Sequence, residues 1–217
     1  MKKYSCIIFD MDGTLTQTNQ LIYDSFNHVA EKYINKRLSE KEIIALFGPP
    51  EKEAVENMIG SDHIESAMND YYSFYHERHN TLASLYPGII EILEFLKSKK
   101  VIIGLFTGKG RRTTDITLEQ FGIKKYFDVT MTGDDVEIFK PSGDGIIKII
   151  RKFSLKPAEV LMVGDSIADF KASREAEVEI ASVVWDSYSK HDVMQLSSDY
   201  FFHNVSEFYE WLKRIYA

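Results

Sequence analysis

Short apolar runs recur along the chain, and each stops abruptly at a polar residue. The first run, Cys6-Ile7-Ile8-Phe9, is followed directly by Asp10. An apolar run of this kind that ends at a turn is typical of a strand buried on both faces of a parallel sheet. Similar runs predict five further strands, at residues 101–106, 127–131, 160–163, 180–184 and 200–202.

Between the predicted strands, apolar residues recur at the spacing of amphipathic helices. Two clear examples are a helix after the break at Tyr86-Pro87-Gly88 and a helix close to the end of the sequence. Their apolar positions are Ile89, Ile92, Leu93 and Leu96 in the first, and Val205, Phe208, Leu212 and Ile215 in the second. Strands that alternate with helices predict an α/β fold, a Rossmann-like parallel sheet with helices on both faces.

One long segment between the first two predicted strands has no buried-strand pattern. Ile22 and Phe26 lie on one helical stripe, and Ser39 with Glu42 forms a capping-box pair that starts a second helix. Two more helical patterns follow, near residues 51–59 and 62–80. The predicted division is an α/β core of residues 1–16 and 87–217 with an inserted α-helical cap of residues 17–86.

The net charge and the single cysteine narrow the possible partners. The formal charge of −7 argues against a nucleic-acid or anionic-membrane surface, because both require a basic patch. Cys6 cannot form an intramolecular disulfide, and its place in a predicted strand favours core packing. No apolar run reaches membrane-spanning length, and the N-terminal residues lack a signal-peptide apolar region. We therefore expect a cytoplasmic protein, monomeric or weakly dimeric, that binds neither nucleic acid nor membrane.

An acidic pair lies where the first predicted strand ends. Asp10 and Asp12 are two positions apart, so their carboxylates can point into the same space. Carboxylates that close repel each other, and a divalent cation with oxygen ligands would offset the repulsion. The cation is the simplest explanation, a proton shared on one carboxylate is the next, and a solvated acidic turn is the remaining alternative.

Polar residues also follow other predicted strands. Thr107 ends the second strand beside a helix start, where backbone N–H groups can bind an anion. Lys140 precedes Pro141, and Asp165 and Asp169 follow the fourth strand four residues apart. Taken singly, these residues could be a helix cap, a surface lysine and a solvated helix start. Because ligands bind at the carboxyl ends of parallel strands, their shared location predicts one binding site.

Four ordered motifs resemble those of the haloacid-dehalogenase-like phosphatases. The first is Phe9-Asp10-Met11-Asp12-Gly13-Thr14-Leu15, and the second is Thr107 at the end of a strand. The third is Lys140-Pro141, and the fourth is Gly164-Asp165 with the further acid Asp169. The helical insertion is similar to the small cap of the phosphoglycolate-phosphatase-like subfamily.

The resemblance implies a Mg²⁺-dependent phosphatase that hydrolyses a small phosphorylated metabolite through an aspartyl-phosphate intermediate. It implies that Asp10 is the nucleophile and that Asp12 is the general acid and base. The implied phosphate ligands are Thr107, Gly108 and Lys140. The implied Mg²⁺ ligands are Asp10, the backbone carbonyl of Asp12, and Asp165, while Asp169 would orient a metal-bound water or Lys140.

Two other functions remain open at this point. Sugar-phosphate mutases of this superfamily tend to carry Glu-Asp in the fourth motif and an arginine in the cap, where this chain has Gly164-Asp165 and Glu51. A non-catalytic phosphometabolite-binding protein would be indicated by loss of Asp10 or Asp12, and both are present. The dehalogenases of the superfamily lack the second aspartate, so Asp12 argues against that activity.

The cap contains few candidates for recognising an anionic substrate. It carries six Lys and Arg against eleven Asp and Glu, a net charge of −5. A recognising group would therefore be a local exception, such as Lys41 or Lys52, or a neutral donor, although a solvated lysine is the ordinary outcome. His76 and His79 could in principle bind a metal, but surface or helix-packing positions are the default expectation.

Overall fold

A parallel sheet forms the centre of the protein, whose structure is a computed structural model that describes residues 2–187 and 190–217. The strands in these residues are β1 (Cys6–Phe9), β2 (Thr16–Gln17), β3 (Ser84–Leu85), β4 (Ile102–Phe106), β5 (Val129–Met131), β6 (Val160–Gly164), β7 (Glu179–Val183) and β8 (Tyr200–Phe202). Six of them form one sheet in the order β5-β4-β1-β6-β7-β8, with parallel neighbours throughout. β1 is thus central, with Cys6 opposite both Ile102 and Val160.

Helices occupy most of the chain between these strands. The helices in the described residues are α1 (Asn19–Ile34), α2 (Glu40–Ile44), α3 (Glu51–Ile59), α4 (Ile64–Leu82), α5 (Ile89–Ser98), α6 (Arg111–Gln120), α7 (Asp144–Lys152), α8 (Ile167–Glu175), α9 (Lys190–Val193) and α10 (Val205–Ile215). Single 3-10 turns lie at Lys124–Tyr126, Gly133–Asp135 and Pro157–Glu159. The predicted α/β fold class is therefore confirmed. β5 begins two residues later than predicted, because Phe127 closes the first of these turns.

The two faces of the sheet bury separate hydrophobic clusters, as alternation along a strand requires. Ile7 and Phe9 face one cluster, together with the apolar residues of α5 and α10. Cys6 and Ile8 face the other cluster, with α7 and α8. Full burial of each such large apolar side chain stabilises the fold by roughly 1.5–3 kcal/mol. This packing confirms the expected burial of Cys6 and holds the strand ends in fixed positions.

The helices α1–α4 occupy the predicted cap and bury a cluster of their own. Phe26, Tyr71 and Tyr75 belong to that cluster. The two segments that join this unit to the core form a short antiparallel ribbon, with Thr16 opposite Leu85. They pair because the chain leaves and re-enters the core at neighbouring positions. In the described residues, no helix combines the length and the apolar character needed to cross a membrane.

Candidate active site

The carboxyl ends of three adjacent strands bring three predicted site residues together. Asp10 follows β1, Thr107 follows β4 and Asp165 follows β6, and β1 lies between the other two. The N–H of Asp10 donates to the Val163 carbonyl at 2.8 Å. The N–H of Thr107 donates to the Met131 carbonyl at 3.0 Å. Sheet hydrogen bonding therefore continues one residue past β1 and β4 and fixes the backbone of both site residues.

Lys140 joins the strand ends from a loop outside the sheet. Its Nζ donates to Asp10 Oδ1 at 2.7 Å, to Asp169 Oδ1 at 2.6 Å and to the Phe106 carbonyl at 2.7 Å. These bonds use all the protons that an ammonium can donate. Burial opposes the charged form of Lys140, but the carboxylates of Asp10 and Asp169 outweigh burial and raise its pKa above the usual value. The lysine is therefore a buried, oriented cation beside Asp10.

The first turn of α8 holds Asp169 in place. The Ser166 hydroxyl accepts a bond from the Asp169 N–H at 3.2 Å and donates to Asp169 Oδ2 at 2.6 Å, and the Ser166 N–H donates to the same oxygen at 3.1 Å. This capping box commits Oδ2 and leaves Oδ1 for Lys140. Gly164 makes the close approach possible, because a Cβ there would lie 2.4 Å from Asp169 Cγ.

Three buried carboxylates meet next to this lysine. Asp10, Asp165 and Asp169 offer oxygens that lie within 4.8 Å of one another. The Asp165 carboxylate accepts only a long bond, 3.4 Å, from the Thr14 hydroxyl among the contacts of the described residues. Burial and then Asp10 and Asp169 raise the pKa of Asp165 well above its usual value, and burial raises the pKa of Asp10 to about 7 although Lys140 lowers it. A divalent cation would offset this repulsion, so the donor set fits Mg²⁺.

Gly13 allows the first motif to turn around Asp165. Its φ is 80°, in the left-handed region that favours glycine. A Cβ at this position would lie 2.5 Å from Asp165 Oδ2. Any other residue would therefore be strained and would displace the carboxylate.

The side chain of Asp12 lies apart from the acidic cluster. The Thr18 hydroxyl donates to Asp12 Oδ1, and Lys109 Nζ lies 3.4 Å from Oδ2. Its carboxylate therefore contacts Thr18, just before α1, and Lys109 in the turn after β4. The metal ligand predicted for this residue is its backbone carbonyl, not its side chain.

Lys109 is a site residue that its sequence context did not indicate. It belongs to a polar turn after β4, yet its side chain is only 7% exposed. Nζ lies 3.4 Å from Asp12 Oδ2 and 3.7 Å from Glu51 Oε1, and it sits 4.7 Å from the centre of the Tyr75 ring. Burial opposes its charge, but Asp12, Tyr75 and Glu51 together raise the pKa of Lys109 well above its usual value.

Glu51 connects the cap to a core helix. It is the first residue of α3, and its Oε2 accepts a bond from the Gly110 N–H at 2.6 Å. Its Oε1 accepts a bond from the Thr113 hydroxyl at 2.6 Å. Gly110 is the N-cap of α6, so the carboxylate also meets the positive end of that helix. An acid in the first turn of a helix is ordinary, which is why the sequence alone did not single it out.

Thr107 and Gly108 begin the turn that faces the cavity. The Thr107 hydroxyl oxygen accepts a bond from the Lys109 N–H at 3.2 Å, which leaves the hydroxyl proton for a ligand. Gly108 lies under the cap, since a Cβ there would be 3.8 Å from the Gly48 carbonyl. Both residues line the cavity, together with the acidic cluster.

Core and cap residues line a common cavity of about 160 Å³. From the cap, its lining includes Ile22, Phe26, Phe47, Glu51, Ala54 and Tyr71. Among the described cap residues, none that lines this cavity is cationic. Lys41 is exposed outside it, and Lys52 is exposed and lies 3.7 Å from Glu65. The cap lysines considered from the sequence therefore have the solvated positions that were the ordinary expectation.

Among the described residues, neither histidine of the α4 pair belongs to a group of potential metal ligands. His79 is fully buried, and its ring centre lies 4.6 Å from that of Phe121. His76 is exposed and its Nε2 lies 3.2 Å from Gln120 Nε2. Within residues 2–187 and 190–217, only the acidic cluster brings together three or more side chains that could hold a metal ion.

An acidic cluster, a buried lysine and a strand-end threonine at the edge of a parallel sheet define a hydrolase site for phosphorylated compounds. The family model of the haloacid dehalogenase-like hydrolases matches residues 7–183. The chain belongs to that family, which confirms the resemblance drawn from the four motifs and the prediction of an enzyme.

Similar proteins include enzymes and solved structures that match over nearly the whole chain. Pyrophosphatase PpaX of Bacillus mycoides (strain KBAB4) is 30% identical over 213 residues, 98% of this chain and 99% of the relative. A putative β-phosphoglucomutase from Thermotoga maritima is 27% identical with a TM-score of 0.76, covering 97% of this chain and 99% of its own. A predicted phosphoglycolate phosphatase from Haemophilus somnus 129PT has a TM-score of 0.85 at 23% identity, covering 97% and 98%, and shows the same fold.

Proposed function

We propose that the protein is a Mg²⁺-dependent phosphatase that hydrolyses a small phosphorylated metabolite through an aspartyl-phosphate on Asp10. The observation that carries the proposal is the Lys140 network, which fixes Asp10 beside two further buried carboxylates and Thr107. Inorganic pyrophosphate is the first candidate substrate, because it is named for relatives that match across the chain. Phosphoglycolate is the second, because the cap resembles that of phosphoglycolate-phosphatase-like proteins.

The cavity size supports a compact substrate. Its volume is about 160 Å³, below the roughly 300–1,000 Å³ of pockets that hold drug-sized ligands. Pyrophosphate and phosphoglycolate are both small. A nucleotide would require the cap to move away from the core.

In the first step, an oxygen of the Asp10 carboxylate attacks phosphorus and the bond from phosphorus to the leaving oxygen breaks. Asp12 gives its proton to that leaving oxygen. In the second step, Asp12 takes a proton from a water molecule whose oxygen attacks phosphorus. The bond from phosphorus to Asp10 then breaks, which releases phosphate and restores both aspartates.

The Thr107 hydroxyl and the Gly108 amide donate to the phosphoryl oxygens, and Lys140, whose three protons are taken by protein acceptors, stabilises the charge of those oxygens electrostatically beside Asp10. Donors fixed before the reaction stabilise the transition state more than the ground state. A bound Mg²⁺, held by Asp10, the Asp12 carbonyl and Asp165, would supply positive charge that neutralises the phosphate and keeps the carboxylates ionised. Asp169 would keep Lys140 in its productive position through the bond at 2.6 Å.

We assign residues 17–86 the role of a cap that closes over the site. Glu51 supports this role, because its carboxylate accepts a hydrogen bond from the N–H of Gly110 at the start of the core helix α6. A closed cap excludes water from the phosphorylated enzyme and strengthens the electrostatic contacts inside. The short β2–β3 ribbon is the connection about which the cap would move.

The test is phosphate release from a panel of pyrophosphate, phosphoglycolate and an aldose phosphate, with Mg²⁺ or with EDTA. The phosphatase assignment predicts Mg²⁺-dependent release from at least one compact substrate. A mutase would isomerise the aldose phosphate without net phosphate release. A binding protein would release no phosphate under either condition.

A further inference from the structure

Lys109 connects the general acid and base of the proposed mechanism to the cap. Its Nζ lies 3.4 Å from Asp12 Oδ2 and 3.7 Å from Glu51 Oε1, so one ammonium contacts a carboxylate of the core and a carboxylate of the cap. It also lies 4.7 Å from the centre of the Tyr75 ring, on α4 of the cap. The Lys109 side chain is only 7% exposed, so water screens these contacts weakly. The cap therefore surrounds the cation that contacts Asp12.

The two carboxylate oxygens of Asp12 have different partners. Oδ1 accepts the hydrogen bond from the Thr18 hydroxyl, and Oδ2 is the oxygen nearest Lys109 Nζ. Because Oδ1 is taken, Oδ2 is the oxygen left to exchange a proton with the leaving oxygen. Proton donation leaves a negative charge on Asp12, and a cation 3.4 Å away stabilises that charge. The position of Lys109 therefore suits the first chemical step.

The two buried lysines of the site differ in the contacts they make. Lys140 donates three hydrogen bonds of 2.6 or 2.7 Å. Both contacts of Lys109 Nζ with carboxylates are longer than an ordinary N–H···O bond. A bond of ordinary length would occupy Asp12 Oδ2, whereas the longer ionic contact attracts the carboxylate and leaves that oxygen for proton exchange. Lys109 thus has the geometry of a group that orients Asp12 without competing with the substrate.

The packing of the cap completes this arrangement. Glu51 is the first residue of α3, and its carboxylate also accepts bonds from the Gly110 N–H and the Thr113 hydroxyl. Gly110 directly follows Lys109, so the same carboxylate holds the backbone of this turn and contacts the lysine side chain. If the cap moved away from the core, Lys109 would lose Glu51 and the Tyr75 ring together. The environment of the cation beside Asp12 therefore depends on the cap.

We propose that Lys109 is a positioning residue that holds Asp12 for proton transfer, and that Glu51 holds Lys109 in place only when the cap is packed against the core. The inference rests on the phosphatase function proposed above and adds a coupling between cap closure and the general acid. A substrate whose leaving oxygen needs a proton is then cleaved efficiently only by the closed enzyme. The coupling assigns a role to a buried lysine whose contacts are with Asp12 and the cap.

The test compares phenyl phosphate with p-nitrophenyl phosphate, which are similar in shape but differ in how much the leaving oxygen needs a proton. Lys109→Met should lower kcat/KM for phenyl phosphate about tenfold more than for p-nitrophenyl phosphate. It should lower kcat for both, because hydrolysis of the phosphorylated enzyme uses Asp12 with either substrate. Glu51→Gln should show the same selective loss of kcat/KM. The controls Lys52→Met and Glu53→Gln, at exposed positions of the same helix, should leave the ratio of the two kcat/KM values unchanged.

A double-mutant cycle separates positioning from a purely structural role. In an Asp12→Asn background, Lys109→Met should cause no further selective loss, because the acid that it positions is already absent. Equal losses for the two phosphates, or the same selective loss in both backgrounds, would overturn the role of Lys109. A selective loss in Lys109→Met without one in Glu51→Gln would overturn the coupling to the cap.

A crystal structure of Lys109→Met gives a readout that does not depend on activity. The Asp12 carboxylate should leave the orientation that it has beside Lys109, whether or not the wild type turns over. An unchanged carboxylate would overturn the positioning role. Absence of phosphate release by the wild type from any of the substrates would overturn the phosphatase proposal instead.

Discussion

The core side and the cap side of the cavity differ in how their polar groups are satisfied. On the core side, Lys140 uses all its donors and Asp169 is bonded through both carboxylate oxygens. On the cap side, Glu51 is bonded to the core helix, whereas the Tyr71 hydroxyl has no partner among the described residues. The difference indicates that the core groups are held in one arrangement, whereas the polar groups of the cap are not all satisfied by the fold.

Under the proposed function, the core carries the chemistry and the cap selects the substrate. Groups that act in the transition state must already be oriented, since reorienting them would cost free energy at that moment. Groups that select a substrate gain most by making their contacts only when it arrives. Changes at the core should therefore reduce turnover of every substrate, and changes at the cap should discriminate among them.

The largest effect is expected for Asp10→Asn. The amide keeps the size of the side chain but is not a nucleophile, so kcat should fall by about 10⁴-fold or more for every substrate. Phosphate release is the measurement, and circular dichroism is the control for the fold. Turnover close to that of the wild type would show that Asp10 does not form the covalent intermediate.

Removal of the metal should have the second-largest effect on turnover, and this effect should be the same for every substrate. EDTA is expected to reduce turnover to background, and added Mg²⁺ should restore it. Because the proposed Mg²⁺ site, with Asp10 and Asp165, is assembled only in the folded protein, Mg²⁺ should also raise Tm. That second readout does not depend on activity. A Tm that does not respond to Mg²⁺ would contradict the proposed metal site.

A smaller, cap-specific effect is expected for Glu51→Gln. The amide loses the ionic contact with Lys109 and the charge at the start of α6, so the closed cap should be less stable. We expect kcat/KM to fall by roughly tenfold, an estimate based on a loss near 1.4 kcal/mol. Hydrogen exchange at the Gly110 amide should accelerate. Glu53→Gln on the exposed face of the same helix is the matched control, and equal exchange in both variants would argue against Glu51 as the closing contact.

The smallest effect concerns pH and stability at His79. Burial, and then the charge of Lys109, lowers the pKa of His79 to about 4, below the unfolded value of about 6.5. The unfolded state therefore binds more protons, and the stabilising contribution of neutral His79 is lost as pH falls from about 6.5 toward 4. We expect wild type to lose about 2 kcal/mol from this source between about pH 7 and 5. Urea unfolding should show a smaller loss in His79→Leu, and exposed His76→Leu should behave like the wild type.

The sequence was sufficient for the core side of the site. Strand ends of a parallel sheet share an edge, so Asp10, Thr107 and Asp165 could be placed together from local patterns alone. Lys140 and Asp169 followed from the same edge and from the motif resemblance. These residues are positioned by elements whose sequence patterns are strong.

The cap side could not be predicted in the same way. Glu51 and Lys109 are 58 positions apart in the sequence and come into contact only when the cap packs against the core. The periodic patterns of helices and strands do not predict such a contact. Tyr71 had the pattern of a packing residue, which it is. Its missing partner is visible only once every neighbouring group has been placed. The β2–β3 ribbon was likewise not predicted, because pairing of two residues from each strand leaves no periodic pattern.

The most direct test of the central claim is to trap the covalent intermediate on Asp10. In Asp12→Asn, attack by Asp10 on a substrate with a good leaving group should survive better than hydrolysis of the phosphorylated enzyme, because only the second step needs a base for water. After a short incubation with p-nitrophenyl phosphate and Mg²⁺, the protein is reduced with borohydride and digested for mass spectrometry. The account predicts homoserine at position 10 in this variant and none in Asp10→Asn. A burst of p-nitrophenol with no modification at position 10 would contradict it.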